Sequence, residues 1–192
     1  MSAPQVAILS GPNGAGKSTL AERIIRDQLG ILDYVNADTI AKGLSAFDSE
    51  SQAFTAGRYM LEHLQRLATA KADFAFETTL ATRSFATWID DLLSDGYQFG
   101  IIFVWLPSAD VSVRRVAYRV QHGGHHVPEQ DIRRRFARGW SNFFSLYRPR
   151  ATWWQVYNGA SEMGPQLVAD GSADVTLNVL DAPTWQLISR EV

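Results

Sequence analysis

The sequence predicts an α/β protein in one domain, 1–192, with a central, mostly parallel sheet of five to six strands flanked by helices. Three observations carry that expectation. Short apolar runs alternate with helical patterns along the chain, as strands and crossover helices of a parallel sheet do. A glycine-rich turn, Gly11-Pro12-Asn13-Gly14-Ala15-Gly16-Lys17-Ser18-Thr19, joins the first strand to the first helix. The most apolar run, Phe99 to Leu106, has the composition of a strand buried on both faces.

The elements follow in order. Val6–Leu9 is the first strand, and Leu20, Ile24 and Ile25 share one face of the helix after the turn. Asp33–Asn36 is a short second strand, followed by helical residues 39–43 and a helix over 54–70 with Tyr59, Leu61, Leu64 and Leu67 as its apolar positions. Asp73–Glu77 is the third strand, and the helix from Ser84 to Leu93 ends at Gly96. Pro107 closes the fourth strand, Phe99–Leu106. A helix over 112–120 leads into Gly123-Gly124-His125-His126, a flexible polar break, and an Arg-rich helical stretch runs from Pro128 to Tyr147. Trp153–Tyr157 is the fifth strand, its tryptophan pair reading as core, and Val175–Leu180 supplies the sixth.

Composition narrows the class. Hydrophobic residues make up 46% and charged residues 20%, an ordinary globular balance. No apolar run approaches the roughly 18–20 residues of a membrane span, so no membrane partner is expected. The absence of Cys excludes disulfides and thiolate metal sites, and a cytoplasmic location is the expectation. The net charge of −2 hides an asymmetry: residues 111–150 hold nine Arg against Glu129 and Asp131, +7 locally, which leaves −9 for the rest. Arginine suits bidentate phosphate contacts. No nucleic-acid-binding motif accompanies these arginines, so a nucleic-acid partner is not expected.

The glycine-rich turn matches G-x-x-x-x-G-K-[ST] throughout and reads as a phosphate-binding loop for a nucleoside triphosphate. Its glycines allow backbone conformations in which successive N–H groups converge on an anion, and the following helix points its positive end at the same phosphates. Lys17 adds a cation for the β- and γ-phosphates, and the Ser18 hydroxyl is a ligand for Mg²⁺. The segment 121–138, a Gly-Gly break and an arginine-bearing helix between strands four and five, sits where small P-loop kinases carry a lid.

Further candidates lie after strands two and three, at the carboxyl edge where open α/β sheets bind ligands. Asp38 reads as a base for an acceptor hydroxyl and as a helix N-cap, two roles that can hold at once. Glu77 reads as an acid that orients an acceptor or holds Mg²⁺ through water, against a solvated strand end. Thr79 is a candidate acceptor contact; Arg83 reaches a substrate phosphate or pairs with Asp90 or Asp91. His125 is a candidate hydrogen-bond donor to substrate or phosphate, because adjacent histidines without a third ligand argue against metal.

The ordered set Gly-Pro-Asn-Gly-Ala-Gly-Lys-Ser-Thr, Asn36-Ala37-Asp38, Phe76-Glu77-Thr78-Thr79-Leu80, Gly123-Gly124-His125-His126-Val127-Pro128 and Ile132-Arg133-Arg134-Arg135-Phe136 resembles the zeta-toxin-like P-loop kinases, in particular compact members described as predicted P-loop ATPases. The resemblance spans about residues 5–158. It implies a P-loop kinase fold and transfer of the γ-phosphate of ATP, with Mg²⁺, to the 3′-hydroxyl on the sugar of UDP-N-acetylglucosamine. Lys17 and Ser18 would then hold phosphates and Mg²⁺, Asp38 would be the general base, and Glu77 and Thr79 would contact the amino sugar. Arg119 and one of Arg133 or Arg134, here Arg134, match the lid arginines, and His125 stands where longer toxins carry arginine. Those toxins place Gly between the acid and the Thr, with an Arg close behind; this chain has Thr78 and Ala81 there, and Arg83 two residues further on. A separate antitoxin protein is a partner the resemblance admits. Two other readings remain: a nucleoside or nucleotide kinase, and an ATP-dependent switch without small-molecule transfer.

Overall fold

A computed structural model describes residues 3–46, 48 and 51–190. In chain order its elements are β1 (Gln5–Ser10), α1 (residues 17–28), β2 (Asp33–Val35), α2 (Ala37–Leu44), α3 (Ala53–Thr69), β3 (Phe74–Thr78), α4 (Ser84–Ser94), β4 (Gln98–Trp105), α5 (Ala109–Gln121), α6 (Glu129–Asn142), β5 (Trp153–Asn158), β6 (Gln166–Ser172), β7 (Val175–Val179) and α7 (Ala182–Arg190). The strands form one sheet in the order β2-β3-β1-β4-β5-β6-β7. The first five are parallel, while β6 and β7 are antiparallel additions at one edge. The mostly parallel α/β expectation therefore holds, with seven strands rather than five to six.

The additional strand is β6. Its sequence, Gln166-Leu-Val-Ala-Asp-Gly-Ser172, has one β-branched residue and carries Asp and Gly, so propensity alone does not mark it. Antiparallel pairing with β5 makes it a strand and buries Val168 and Ala169. Helix α7 is a second unannounced element. Asp181 caps it by accepting the Thr184 N–H at 3.1 Å, Pro183 lies in its first turn, and Trp185 stacks on Trp154 with 5.7 Å between ring centroids.

Both faces of the central strands are covered, as their continuous apolar runs require. Along β4, Ile101 and Phe103 join one core with Phe74, Phe76, Phe143 and Trp154, while Ile102 and Val104 join the other with Leu9, Ile24 and Ile25. Fully burying each large side chain contributes roughly 1.5–3 kcal/mol before entropy is counted. Trp154 is fully buried, as the core reading of the tryptophan pair expects, and Trp153 packs half-buried over Gly100.

Parallel register then sets the functional edge. Leu9 pairs with Glu77, Ser10 with Thr78, and Val35 with Phe76, so the loops after β1, β2 and β3 begin side by side. Above them α5 and α6 form a hairpin with a small core of its own, Val116, Val127 and Ile132.

Candidate active site

The loop between β1 and α1 is held from outside. Gly11, Gly14 and Gly16 have φ of +136°, +75° and +93°, a region that favours glycine. A Cβ on Gly11 would lie 2.4 Å from the Val104 carbonyl oxygen, so that position also has no room for a side chain. Lys17 Nζ donates to the carbonyls of Gly11 (3.0 Å) and Pro12 (3.1 Å), Ser112 Oγ donates to the Asn13 carbonyl, and Arg115 donates to Gly14 O at 3.3 Å and Gly159 O at 2.7 Å. These bonds engage the carbonyls of Gly11, Pro12, Asn13 and Gly14 just ahead of α1, whose first-turn N–H groups have no helical partner. Ser18 and Thr19 are exposed on that first turn, and Pro12 and Ala15 are buried beneath it.

Opposite the loop, Glu77 is the hub of a network. Its Oε2 accepts from Tyr34 Oη at 2.7 Å and Asn36 Nδ2 at 2.8 Å, and its Oε1 lies 3.6 Å from Lys17 Nζ, an ion pair longer than a hydrogen bond. Burial pulls the Lys17 ammonium below its ordinary value; Glu77 and Asp38 oppose that, and Arg119 adds to the lowering. Burial first, then Glu77, pushes the Tyr34 phenol well above its ordinary value, so Tyr34 remains a donor. Of the two readings of Asp38, the helix cap is not the one observed. It is Asn36 that caps α2, its Oδ1 accepting from the N–H groups of Asp38 (2.8 Å) and Thr39 (3.3 Å). The Asp38 carboxylate, relieved of capping, is exposed along the cleft.

That cleft, about 210 Å³, is lined among others by Asn13, Lys17, Asp38, Glu77, Thr79 and Arg119. Thr79 is presented by a strained turn. Leu80 has φ +62° and is held there by its N–H on Thr78 Oγ1 (3.1 Å), its carbonyl on the buried Asn142 amide (2.8 Å) and a fully buried side chain. Arg119 Nη2 donates to the His125 carbonyl at 2.9 Å, and its Nε, like Asn13 Oδ1, is buried without a protein partner. Such orphaned polar atoms at a cleft suit a polar ligand.

Several expectations need correction. Arg134 does not line the cleft; it pairs with Asp131 at 2.8 Å on the outer side of α6, and Arg135, about 100° further round the helix, lines it instead. Arg83 is exposed outside the lining, and Asp90, one of its candidate partners, is held by Arg150 at 2.7 Å. His125 contributes its carbonyl to Arg119, while its ring is outside the lining. The Gly-Gly break is specific rather than loose at Gly124, where a Cβ would lie 2.4 Å from Arg119 Cγ. Glu77 does line the cleft, and there it is also engaged by Tyr34, Asn36 and Lys17. Sequence reasoning missed Tyr34, Ser112, Arg115 and Arg135. Only Arg135 carried a local signal: with Ile132 and Gly139 it falls on the inner stripe of α6.

For Mg²⁺ the donors present are oxygen ligands, which suit that ion. Among the described residues no three His, Cys, Asp or Glu cluster to cage a metal, and the exposed Ser18 hydroxyl beside the loop fits an ion that takes most of its ligands from phosphates and water.

Sheet order, loop and cleft define the class as an α/β P-loop protein with a kinase fold. Residues 6–138 match the family model described as AAA domain, and the chain belongs to that family. No curated protein matches it. Among solved structures it is similar to the AvrRxo1-ORF1:-ORF2 complex with ATP, at 16% identity and a TM-score of 0.74 over 97% of this chain and 64% of that one. The chain thus spans less than two thirds of that relative's length. It is also similar to a structure from the PezAT chromosomal toxin-antitoxin system of Streptococcus pneumoniae, at 16% identity and a TM-score of 0.65 over 99% and 86% of the two chains. A gluconokinase from Sinorhizobium meliloti 1021 matches at 14% identity and a TM-score of 0.52 over 83% and 85%. At these identities the likeness is one of fold. Among the described residues no helix is long and apolar enough to cross a membrane.

Proposed function

We propose that this chain is an ATP-dependent phosphotransferase that moves the γ-phosphoryl group of ATP to a hydroxyl of a small molecule. One observation carries the reading: an uncapped, exposed carboxylate, Asp38, shares a cleft with the buried loop lysine, Lys17. The loop Gly11 to Thr19 binds the phosphates through its amides, and Lys17 and Arg119 stabilise charge on the transferring group. Ser18 would hold Mg²⁺, which supplies charge neutralisation on the phosphates. Asp38 takes the proton of the acceptor hydroxyl, and Thr79 lines its path. Kinases, including the gluconokinase, among the similar structures support the reading at the level of fold. The AvrRxo1-ORF1:-ORF2 and PezAT systems each comprise two proteins, which supports testing for a separate protein partner.

The test is Asp38→Ala, assayed for ATP affinity by titration and for phosphomonoester formation by ³¹P NMR. Transfer should fall by about 10²–10⁴-fold with ATP affinity within twofold. Undiminished transfer removes Asp38 from the chemistry, and loss of ATP binding makes it a structural residue. UDP-N-acetylglucosamine, the acceptor implied by the zeta-toxin resemblance, is one arm of that assay.

A further inference from the structure

Three consecutive arginines on α6 meet different fates. Arg133 is neutralised by Asp110 at 2.7 Å and Glu129 at 2.8 Å, and Arg134 by Asp131 at 2.8 Å. Arg135 lines the cleft and, among the described residues, has no acidic partner. A cation kept beside a ligand cleft without a counter-ion suits an anion from outside the protein. Arg119 and Arg135 then divide the work. Arg119 is fixed by the His125 carbonyl and lines the cleft with the loop lysine, Lys17, which suits it to the γ-phosphate. Arg135 enters from α6 and lines the same cleft as Asp38, Thr79, Met60 and Phe85.

Size adds a second constraint. The cleft's volume of about 210 Å³ lies below the roughly 300–1,000 Å³ of ordinary ligand pockets, and the transferring phosphoryl group must share it. A nucleotide sugar would have to extend beyond that space. A molecule with a carbon chain of a few atoms would not, and its apolar stretch has Met60 and Phe85 to pack against.

Resting on the phosphotransfer reading, we infer that the acceptor is a compact alcohol carrying its own anionic group, a carboxylate or phosphate that pairs with Arg135 while its hydroxyl faces Asp38. The acceptor oxygen forms a bond to the γ-phosphorus as the bond from that phosphorus to the β–γ bridging oxygen breaks. The bridging electron pair leaves with ADP, the hydroxyl proton goes to the Asp38 carboxylate, and the products are a phosphomonoester and ADP.

Matched pairs test this on the full chain with Mg·ATP: gluconate against glucose, glycerol 3-phosphate against glycerol, and UDP-N-acetylglucosamine as the large anionic acceptor, with ester followed by ³¹P NMR. The anionic member of at least one pair should react with kcat/KM about 100-fold above its neutral partner, the two pairs telling carboxylate from phosphate. Arg135→Gln should raise KM for that acceptor by about 30–100-fold while leaving KM for ATP within twofold. Arg135→Lys should recover part of the loss, because it keeps the charge and loses the fork. Arg134→Gln, outside the cleft, should change neither constant. Faster transfer to UDP-N-acetylglucosamine or to the neutral members overturns the inference while leaving the phosphotransfer reading intact. An equal fall in kcat for every acceptor in Arg135→Gln also overturns it, because Arg135 would then serve the γ-phosphate. No ester with any acceptor removes both.

Discussion

The phosphate loop and the arginine hairpin face each other across one cleft and are built on opposite principles. In the loop the design is written into backbone: Lys17, Ser112 and Arg115 hold its carbonyls, and Gly11 lies so close to Val104 that no side chain fits. In the hairpin and the residues after it the information is in side-chain charge, and part of it is cancelled. Of the nine arginines between 111 and 150, Arg133, Arg134 and Arg150 are paired with acids, and Arg115 and Arg148 with backbone carbonyls. Only Arg119 and Arg135 line the cleft. The loop's chemistry is local in sequence, whereas the hairpin's depends on which acids the fold brings to which arginine.

The comparison breaks most severely at a glycine. Gly11→Ala combines φ +136° with a backbone oxygen that cannot move aside, and should cost about 3 kcal/mol of stability. Gly123→Ala in the hairpin carries φ +80° with nothing within 4 Å of the added methyl, and should cost about 1 kcal/mol, the conformational strain alone. Urea midpoints for the two variants measure the gap. Equal losses would mean that the loop tolerates a side chain against Val104, contrary to its packing.

A smaller effect is expected where the two regions are joined. Arg115 belongs to α5 by sequence but spans Gly14 and Gly159 with one guanidinium nitrogen, fixing the loop to the end of β5. Arg115→Ala leaves a loop carbonyl and the Gly159 carbonyl without that donor, and should weaken ATP binding by about 1.5–3 kcal/mol. Calorimetric titration reads this directly. Unchanged affinity would show that Lys17 and Ser112 suffice to hold the loop.

The same division explains what was legible in the sequence. Strands one to five, the loop and the grouping of Lys17, Asp38, Glu77 and Thr79 follow from local patterns plus the rule that parallel sheets bind ligands at their carboxyl edge. Where tertiary pairing outweighed local signal, the reading failed. β6 is a strand because β5 is beside it. The Tyr34–Glu77 bond joins residues 43 apart through the register of β2 and β3, and no spacing rule announces it. Arg135 was within reach: Ile132, Gly139 and Trp140 mark the buried stripe of α6, and Arg134 lies off it.

The least drastic change concerns charge rather than shape, and it links the loop to that long-range network. Lys17 is useful to a phosphate only while protonated, and burial works against its proton. Glu77 is the largest opposing influence, ahead of Asp38, and Tyr34 and Asn36 keep it in place. Glu77→Gln preserves the shape and an acceptor for Tyr34 but removes the charge. The lysine's value then falls further, so it loses its proton at lower pH, and the alkaline limb of kcat/KM moves to lower pH. Near neutrality kcat should drop by about tenfold, the equivalent of one charge-assisted contact. A pH–rate profile of wild type and variant separates this from a steric role: a uniform loss with an unmoved limb would make Glu77 a scaffold for Asn36 and the α2 cap. A limb displaced to lower pH would make it the residue that keeps the loop's cation charged.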